Sequence, residues 1–197
     1  GLGQSNAEVL VDNIWFNPGG LAVVWAEENS RASIFDSMQR REVYGTSGPR
    51  MQLRFFGGEE YPNDICDAES IPSIGYFYGV AMGGELWNIE SPVFVADVYG
   101  DKAALEELQI IKIWREGDSP KEKVISILNS DLGSQRMCVR WQDEDYQEGQ
   151  LAAYYLRALE VPTQRWTAIR CESISCESSP KHQCCGEQPD PFIQERA

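Results

Sequence analysis

Five consecutive residues, Glu27-Glu28-Asn29-Ser30-Arg31, bring two carboxylates, an amide, a hydroxyl and a guanidinium into one short stretch. Carboxylates placed together can bind a metal ion, orient a ligand or exchange a proton, and a helix N-terminus beside them can bind an anion. The same residue types also favour a helix start in proteins of any function. Glu27, Glu28, Asn29 and Arg31 are therefore candidates for contacting substrate or supporting a site, and no residue is assigned a catalytic role.

The cysteine-rich segment from Cys171 onward is the second group with chemical potential. Cys171, Cys176, Cys184 and Cys185 lack the paired C-x2-C spacing of zinc sites, and adjacent cysteines suit disulfide-rich loops better than one tetrahedral ion. These four are predicted to form disulfides, whose pairing the spacing does not determine. Disulfides are typical of an oxidising compartment.

Two further cysteines and the single histidine limit the remaining chemistry. Cys66 and Cys138 form either another disulfide or two isolated thiols, and Cys138 lies in a strand pattern that also suits core packing. His182 lies in the cysteine-rich segment, so a histidine-rich metal centre cannot be built within this chain. Phosphate-loop, nucleophile-elbow and H-E-x-x-H motifs are absent, and we expect no cofactor in this chain.

Aromatic residues of the β-rich part offer an alternative function. If exposed, they could stack on sugar rings, although aromatic residues at strand positions more often pack in a core. The set comprises Trp87, Trp114, Trp141, Tyr154, Tyr155 and Trp166. An enzyme that uses carboxylates alone is disfavoured, because a strand would point Glu27 and Glu28 to opposite sides.

A strand and a helix must position the first polar cluster. The apolar run Leu21–Ala26 predicts a strand buried on both faces, as in a parallel α/β sheet. Ser30 is the predicted N-cap of a following helix, whose residues Ile34, Phe35 and Met38 share one face. We expect this apolar surface to be buried against the β-rich region or in a homodimer.

The pattern becomes β-rich after Arg50. Six segments rich in β-branched and aromatic residues predict strands separated by turns, as in an antiparallel β-sandwich. These segments are Arg50–Phe56, Pro92–Tyr99, Leu108–Trp114, Glu122–Leu128, Arg136–Trp141 and Ala152–Val161. Asp101–Leu108 predicts a short helical turn. The fold class is therefore α+β and mostly β, with a strand–helix segment at 1–48, a sandwich-like domain at 49–170 and a cysteine-rich tail at 171–197.

The net charge of −14 argues against one class of partner. Such an acidic surface repels phosphate backbones, so we expect no nucleic-acid partner. The sequence contains no apolar run of about 18 residues, and we expect no membrane span.

Phe35–Pro49, "FDSMQRREVYGTSGP", resembles the phrase that closes the barrel of PHP (polymerase and histidinol phosphatase) hydrolases. Three further segments resemble phrases of a bacterial family of unknown function that is related to those hydrolases. They are Met82-Gly83-Gly84, Leu159–Thr167 and Ile193–Ala197. The resemblance extends over nearly the whole chain, although none of its motifs is a catalytic signature.

This resemblance implies that the chain is the C-terminal portion of a longer metal-dependent hydrolase, possessing the end of a PHP-like α/β barrel. The G-D-x-H-x-H phrase that opens such barrels is missing, so a divalent metal is expected only in the full-length protein. The partner is then the missing N-terminal barrel region, and the isolated chain is expected to be inactive. Many family members are exported, which implies a periplasmic or extracellular location. The alternative function is a β-sandwich module that binds carbohydrate or protein.

Overall fold

The computed structural model describes residues 19–197, and its first elements form a small unit. This N-terminal unit comprises strand β1 (Leu21–Val24), helix α1 (Arg31–Gln39) and strand β2 (Val43–Thr46). Ser30 caps α1 as predicted, because its hydroxyl accepts a hydrogen bond from the backbone N–H of Ser33 at 3.3 Å. The predicted parallel pairing is wrong, since β1 pairs antiparallel with β2. An apolar run alone does not determine the direction of the neighbouring strand.

The apolar face of the N-terminal unit is largely open. Phe35 is 57% exposed, Met38 is 58% exposed, and Leu21 and Val43 are also exposed. The expectation that this face packs against the β-rich region is wrong, because its side chains are exposed. The unit is anchored instead by Trp25, which follows β1. The Trp25 indole N–H donates to the carbonyl oxygen of Leu53 at 2.9 Å. Burial of the face in a homodimer remains a prediction.

The remaining helices and strands follow along the chain after β2. They are β3 (Gln52–Gly58), α2 (Ile71–Tyr78), β4 (Gly79–Ala81), β5 (Val93–Tyr99), β6 (Leu105–Glu116), β7 (Ser119–Ser134), β8 (Arg136–Gln142), β9 (Ala152–Glu160), β10 (Thr163–Gln164), α3 (Trp166–Cys171) and β11 (Phe192–Ile193). Single 3-10 turns lie at Ile65–Asp67 and Gln183–Cys185. Within residues 19–197, no helix combines the length and the apolar character needed to cross a membrane.

Two antiparallel sheets form the core. The first has the strand order β4-β3-β5-β8 and the second the order β7-β6-β9. Their facing side chains make one cluster, which includes Phe55 and Phe94 from the first sheet and Leu108, Ile110 and Leu156 from the second. A second cluster lies on the other face of the first sheet, under α2 and the 3-10 turn. Both faces of β5 are therefore buried.

The mostly β, α+β fold class is confirmed, and each of the six predicted strand segments overlaps an observed strand. The helical turn predicted at Asp101–Leu108 is wrong, because β6 already begins at Leu105 and pairs with both β7 and β9. Helix α2 was not predicted. The division at residues 48 and 170 remains a prediction.

The C-terminal segment returns to the second sheet. β11 pairs with β10, and Ala197 exchanges two backbone hydrogen bonds with Ala158 of β9. Ala197 also packs against the core cluster between the sheets. The backbone N–H of Ser47 donates to the carbonyl oxygen of Arg196 at 2.9 Å, which ties this segment to the end of the N-terminal unit.

Candidate functional site

The first predicted polar cluster lies at the exposed start of α1. Glu27, Glu28, Asn29 and Arg31 are all exposed, and they precede or begin the helix that Ser30 caps. The backbone N–H of Glu28 donates to the Ser33 hydroxyl at 3.3 Å, so the local hydrogen bonds organise the helix start. The four side chains share one exposed region, and their proposed contact with substrate remains a prediction.

A buried carboxylate that was not predicted lies directly after α1. Glu42 is 4% exposed and forms ion pairs with Arg54 at 3.3 Å and Arg40 at 3.6 Å. The hydroxyl of Tyr76 on α2 also donates to Glu42. Burial is the main cause that raises the pKa of Tyr76, and the hydrogen bond to Glu42 raises it further. Arg54 stacks on the ring of Trp25, with 3.5 Å between its Cζ atom and the ring centroid. This network joins the N-terminal unit, β3 and α2.

A cavity of about 700 Å³ opens at one end of the space between the two larger sheets. Its volume is within the range of small-molecule sites, roughly 300–1,000 Å³. Aromatic rings from both sheets line it: Phe55 and Phe94 stack with 5.4 Å between centroids, and Phe94 lies 4.5 Å from Tyr154. The loops at residues 82–92 and 143–151 form its rim. The cavity is the strongest candidate for a ligand site among the described residues.

An ion pair beside this cavity fixes one of the rim loops. The Nζ of Lys112 lies 2.6 Å from Oδ2 of Asp143, and both side chains are almost fully buried. The Tyr154 hydroxyl donates to the same carboxylate at 2.6 Å, and burial, reinforced by this carboxylate, raises the pKa of Tyr154. The Lys123–Asp145 pair, at 2.7 Å, holds the same loop at the surface. Two lysines of the second sheet thus position the loop that carries Tyr146 and Gln150.

The sequence contained a signal for this ion pair that the strand assignment did not use. Lys112 has the same parity along β6 as Leu108 and Ile110, which face the core between the sheets. A lysine at such a position must find a buried partner, because an unpaired charge there is costly. The partner, Asp143, is distant in sequence and could not be chosen from the pattern alone.

The predicted disulfides are confirmed. Cys171 pairs with Cys184 and Cys176 with Cys185, so the two adjacent cysteines reach two different parts of the tail. Cys66 pairs with Cys138, which resolves the alternatives left open by the sequence and links the 3-10 turn to β8. All six cysteines of the chain are oxidised. This pattern is typical of an oxidising environment.

No divalent-metal centre is visible among the described residues. Between residues 19 and 197, no group of three or more His, Cys, Asp and Glu side chains is arranged to hold a metal ion. Of the buried carboxylates, Glu42 and Asp143 are already ion-paired with arginine or lysine, and Glu160 accepts a hydrogen bond from the backbone N–H of Asp101.

Some of the six predicted aromatic residues are exposed and the others are half-buried. Trp87 is 77% exposed at the cavity rim and Tyr155 is 47% exposed, whereas Trp114, Trp141, Tyr154 and Trp166 are half-buried. The general expectation of core packing therefore fails for Trp87, which lies in the rim loop, and for Tyr155, which lies on the exposed side of β9.

Fold and site together define a mostly β protein with an aromatic cavity between two antiparallel sheets. The chain matches the family described as protein of unknown function (DUF3604) over residues 3–132 and 126–197. These matches include nearly all of the sequence, and the chain belongs to this family. The predicted membership of a family of unknown function is confirmed. No curated protein and no solved structure matches the chain.

Proposed function

We propose that this chain is the accessory, ligand-binding part of a PHP-like metal-dependent hydrolase. The observation that carries the proposal is the cavity of about 700 Å³ between the sheets, with aromatic walls and a rim of two loops. Such a cavity can bind part of a substrate without performing chemistry. The hydrolase assignment is supported by the resemblance of Phe35–Pro49 to the closing phrase of PHP barrels, and phosphoesterase chemistry is the activity expected of the whole enzyme.

The N-terminal unit is the proposed contact with the catalytic barrel region. Its exposed Phe35 and Met38, with Leu21 and Val43, form apolar surface of the kind that marks protein interfaces.

The polar cluster at the start of α1 would then lie near the barrel mouth. Glu27, Glu28, Asn29 and Arg31 would contact substrate or support the metal-binding residues from outside their coordination sphere. In an N-terminally extended form, we expect Arg31→Gln to lower kcat/KM about tenfold, within the range of such supporting residues. Glu122→Gln, an exposed change on β7, is the matched control and should leave kcat/KM unchanged.

Metal analysis and a phosphoesterase screen test the assignment when performed on the 197-residue chain and on the extended form. We expect stoichiometric metal and turnover in the extended form alone. Turnover by the 197-residue chain with one bound metal per molecule would refute the accessory role. Metal-free extended protein without turnover would refute the hydrolase assignment.

A stand-alone module that binds carbohydrate or protein is the second candidate function. It is favoured by the exposed Trp87 ring at the cavity rim, since exposed tryptophans commonly stack on ligands. Binding of an oligosaccharide by the 197-residue chain, together with the absence of any activity in the extended form, would favour this candidate.

We also propose a periplasmic or extracellular location. The support is the set of three disulfides, which persist in oxidising compartments. Thiol labelling of protein isolated under non-reducing conditions tests this, since cytoplasmic protein would expose reduced cysteines.

A further inference from the structure

Two tyrosine hydroxyls of the cavity wall are already committed to the protein, whereas the buried Oε1 of Gln150, which also lines the cavity, has no hydrogen-bond partner among the described residues. The Tyr44 hydroxyl donates to the carbonyl oxygen of Met51 at 2.8 Å and accepts from the backbone N–H of Leu53 at 3.2 Å. The Tyr154 hydroxyl is bound to Asp143. These tyrosines therefore present mainly their rings to the cavity. A sugar, whose many hydroxyls each lose water on burial, would leave several hydrogen bonds unmade there.

The rim adds apolar surface at the mouth. Trp87 from the loop at 82–92 is 77% exposed, and Leu151 from the loop at 143–151 is 79% exposed. Both residues also line the cavity. A flat apolar ligand that enters between the sheets would cover these two side chains in addition to the inner rings, and its burial would be favourable in proportion to the apolar area.

The charge of the two rim loops is entirely negative. The loops contain six carboxylates and no lysine or arginine; the carboxylates are those of Glu85, Glu90, Asp143, Glu144, Asp145 and Glu148. Residues outside the loops neutralise three of them, through the pairs Arg41–Glu85, Lys112–Asp143 and Lys123–Asp145. Arg41 and Glu85 both line the cavity, so this lining pair is neutral overall. The remaining three lie in the loops but not in the cavity lining, and they add to a chain whose net charge is −14. This field attracts cations and repels anions, and the exposed Trp87 ring can also face a cation.

We propose that the cavity binds an aromatic cation, with its flat ring system between the sheets and its protonated amine at the acidic rim. This inference rests on the proposed ligand-binding role of the cavity and specifies the ligand class. It differs from the carbohydrate alternative because the inner walls supply mainly aromatic rings, with the Gln150 amide oxygen as a buried unpaired acceptor among the described residues.

Three naphthalene derivatives of similar shape test the charge preference: 2-naphthylmethylamine, 2-naphthalenemethanol and 2-naphthoic acid. Isothermal titration of the 197-residue chain at low salt should rank their affinities as amine, then alcohol, then acid. We expect the amine to bind about tenfold more tightly than the acid, and expect added salt to reduce that ratio by screening. Equal affinities, or tightest binding of the acid, would overturn the inference.

A variant that fills the cavity tests whether the probes bind inside it. Ala152 lines the cavity and has the parity of Leu156, which packs in the core between the sheets. Ala152→Phe should weaken binding of the amine and the alcohol at least about tenfold if the ring system occupies the cavity. Ala32→Phe, on the exposed side of α1 and outside the cavity lining, is the control and should bind as the parent does. Thermal unfolding of both variants verifies that they fold.

The results distinguish a failure of the aromatic-cation inference from a failure of the proposed ligand-binding role. If a cello- or malto-oligosaccharide binds in an Ala152→Phe-sensitive manner and the naphthyl probes do not, the aromatic-cation inference fails and the binding role stands. If no probe of either kind binds at millimolar concentration, both fail. Binding of the amine that Ala152→Phe leaves unchanged would show that the site lies elsewhere and overturn the inference.

Discussion

Buried charges at a few positions connect the two sheets to their loops. Lys112 and Asp143 lie within the protein at 2.6 Å, and Tyr154 shares the carboxylate. Such a pair contributes less to net stability than its short distance implies, because both groups lose water on folding. Its consequence is positional, since it fixes the loop at the cavity rim. Removing one partner leaves the other charge buried and unpaired.

Lys112→Met should therefore destabilise the protein by about 3–5 kcal/mol, the usual cost of breaking one side of a buried ion pair. The double variant Lys112→Met/Asp143→Asn should recover a large part of this loss, because no unpaired charge remains. Urea unfolding of the parent, the single and the double variants measures the effect. Lys123→Met serves as the exposed control and should leave the midpoint near that of the parent. A Lys112→Met midpoint as high as that of the control would contradict the account.

Glu160 predicts a pH dependence of stability. Burial raises the pKa of its carboxyl above the ordinary value of 4.5, although the carboxyl accepts a hydrogen bond from the backbone N–H of Asp101 at 3.1 Å. Because the folded pKa exceeds the unfolded one, folding favours the protonated form. The resulting penalty is absent below the unfolded pKa and develops as pH rises through the folded pKa.

Glu160→Gln keeps an acceptor oxygen and removes this penalty. We expect the variant and the parent to have similar stability near pH 3 and the variant to be more stable at pH 7. Denaturant unfolding across this range provides the measurement. A variant that is less stable than the parent at pH 7 would show that the charged form is favoured in the fold.

The elements differ in how well their local sequence specifies them. The long β-strands have β-branched and aromatic residues in alternation, and this pattern was sufficient to predict them. Helix α2 escaped prediction because Pro72, Gly75 and three consecutive aromatic residues give it low helix propensity. Tertiary packing stabilises it instead: Gly75 lies directly over the buried ring of Phe56. That contact joins elements distant in sequence, so no local pattern reveals it.

Gly75→Ala tests the packing of α2. A Cβ atom at residue 75 would lie only 2.6 Å from the Phe56 ring, so the helix or the ring must shift. We expect overpacking to cost about 1–3 kcal/mol, against the roughly 1 kcal/mol that alanine gains in helix propensity, so the variant should be less stable by up to about 2 kcal/mol. Thermal or urea unfolding provides the comparison with Gly45→Ala, where the nearest atom lies at 3.7 Å. Stabilisation by Gly75→Ala would contradict the close packing.

At the scale of the whole molecule, sequence patterns predicted the sheet content but not the cavity. The cavity depends on how the first and second sheets pack against each other and on which loops lie at its rim, both of which are long-range properties. The polar cluster at Glu27–Arg31 was visible because it is local, whereas the Glu42 network joins residues 40, 42, 54 and 76. The open apolar face of the N-terminal unit also became visible only once packing was known.

That open face leads to a prediction about association. If the face binds a second copy, the 197-residue chain should show a concentration-dependent dimer in light scattering after size exclusion. Phe35→Glu should then shift the population toward the monomer, because a charge would be buried at the contact. Phe192→Glu, also at an exposed aromatic residue, is the control. A monomer at all concentrations would refute the homodimer and leave the barrel region as the proposed occupant of this face.

The central claim is that the cavity supplies substrate binding to a hydrolase whose chemistry occurs elsewhere. The most direct measurement is the steady-state kinetics of an N-terminally extended form that carries Ala152→Phe, with Ala32→Phe as the control. The account predicts that Ala152→Phe raises KM about tenfold while kcat changes less than about twofold, since only binding is lost. An unchanged KM, or a collapse of kcat without a change in KM, would contradict it.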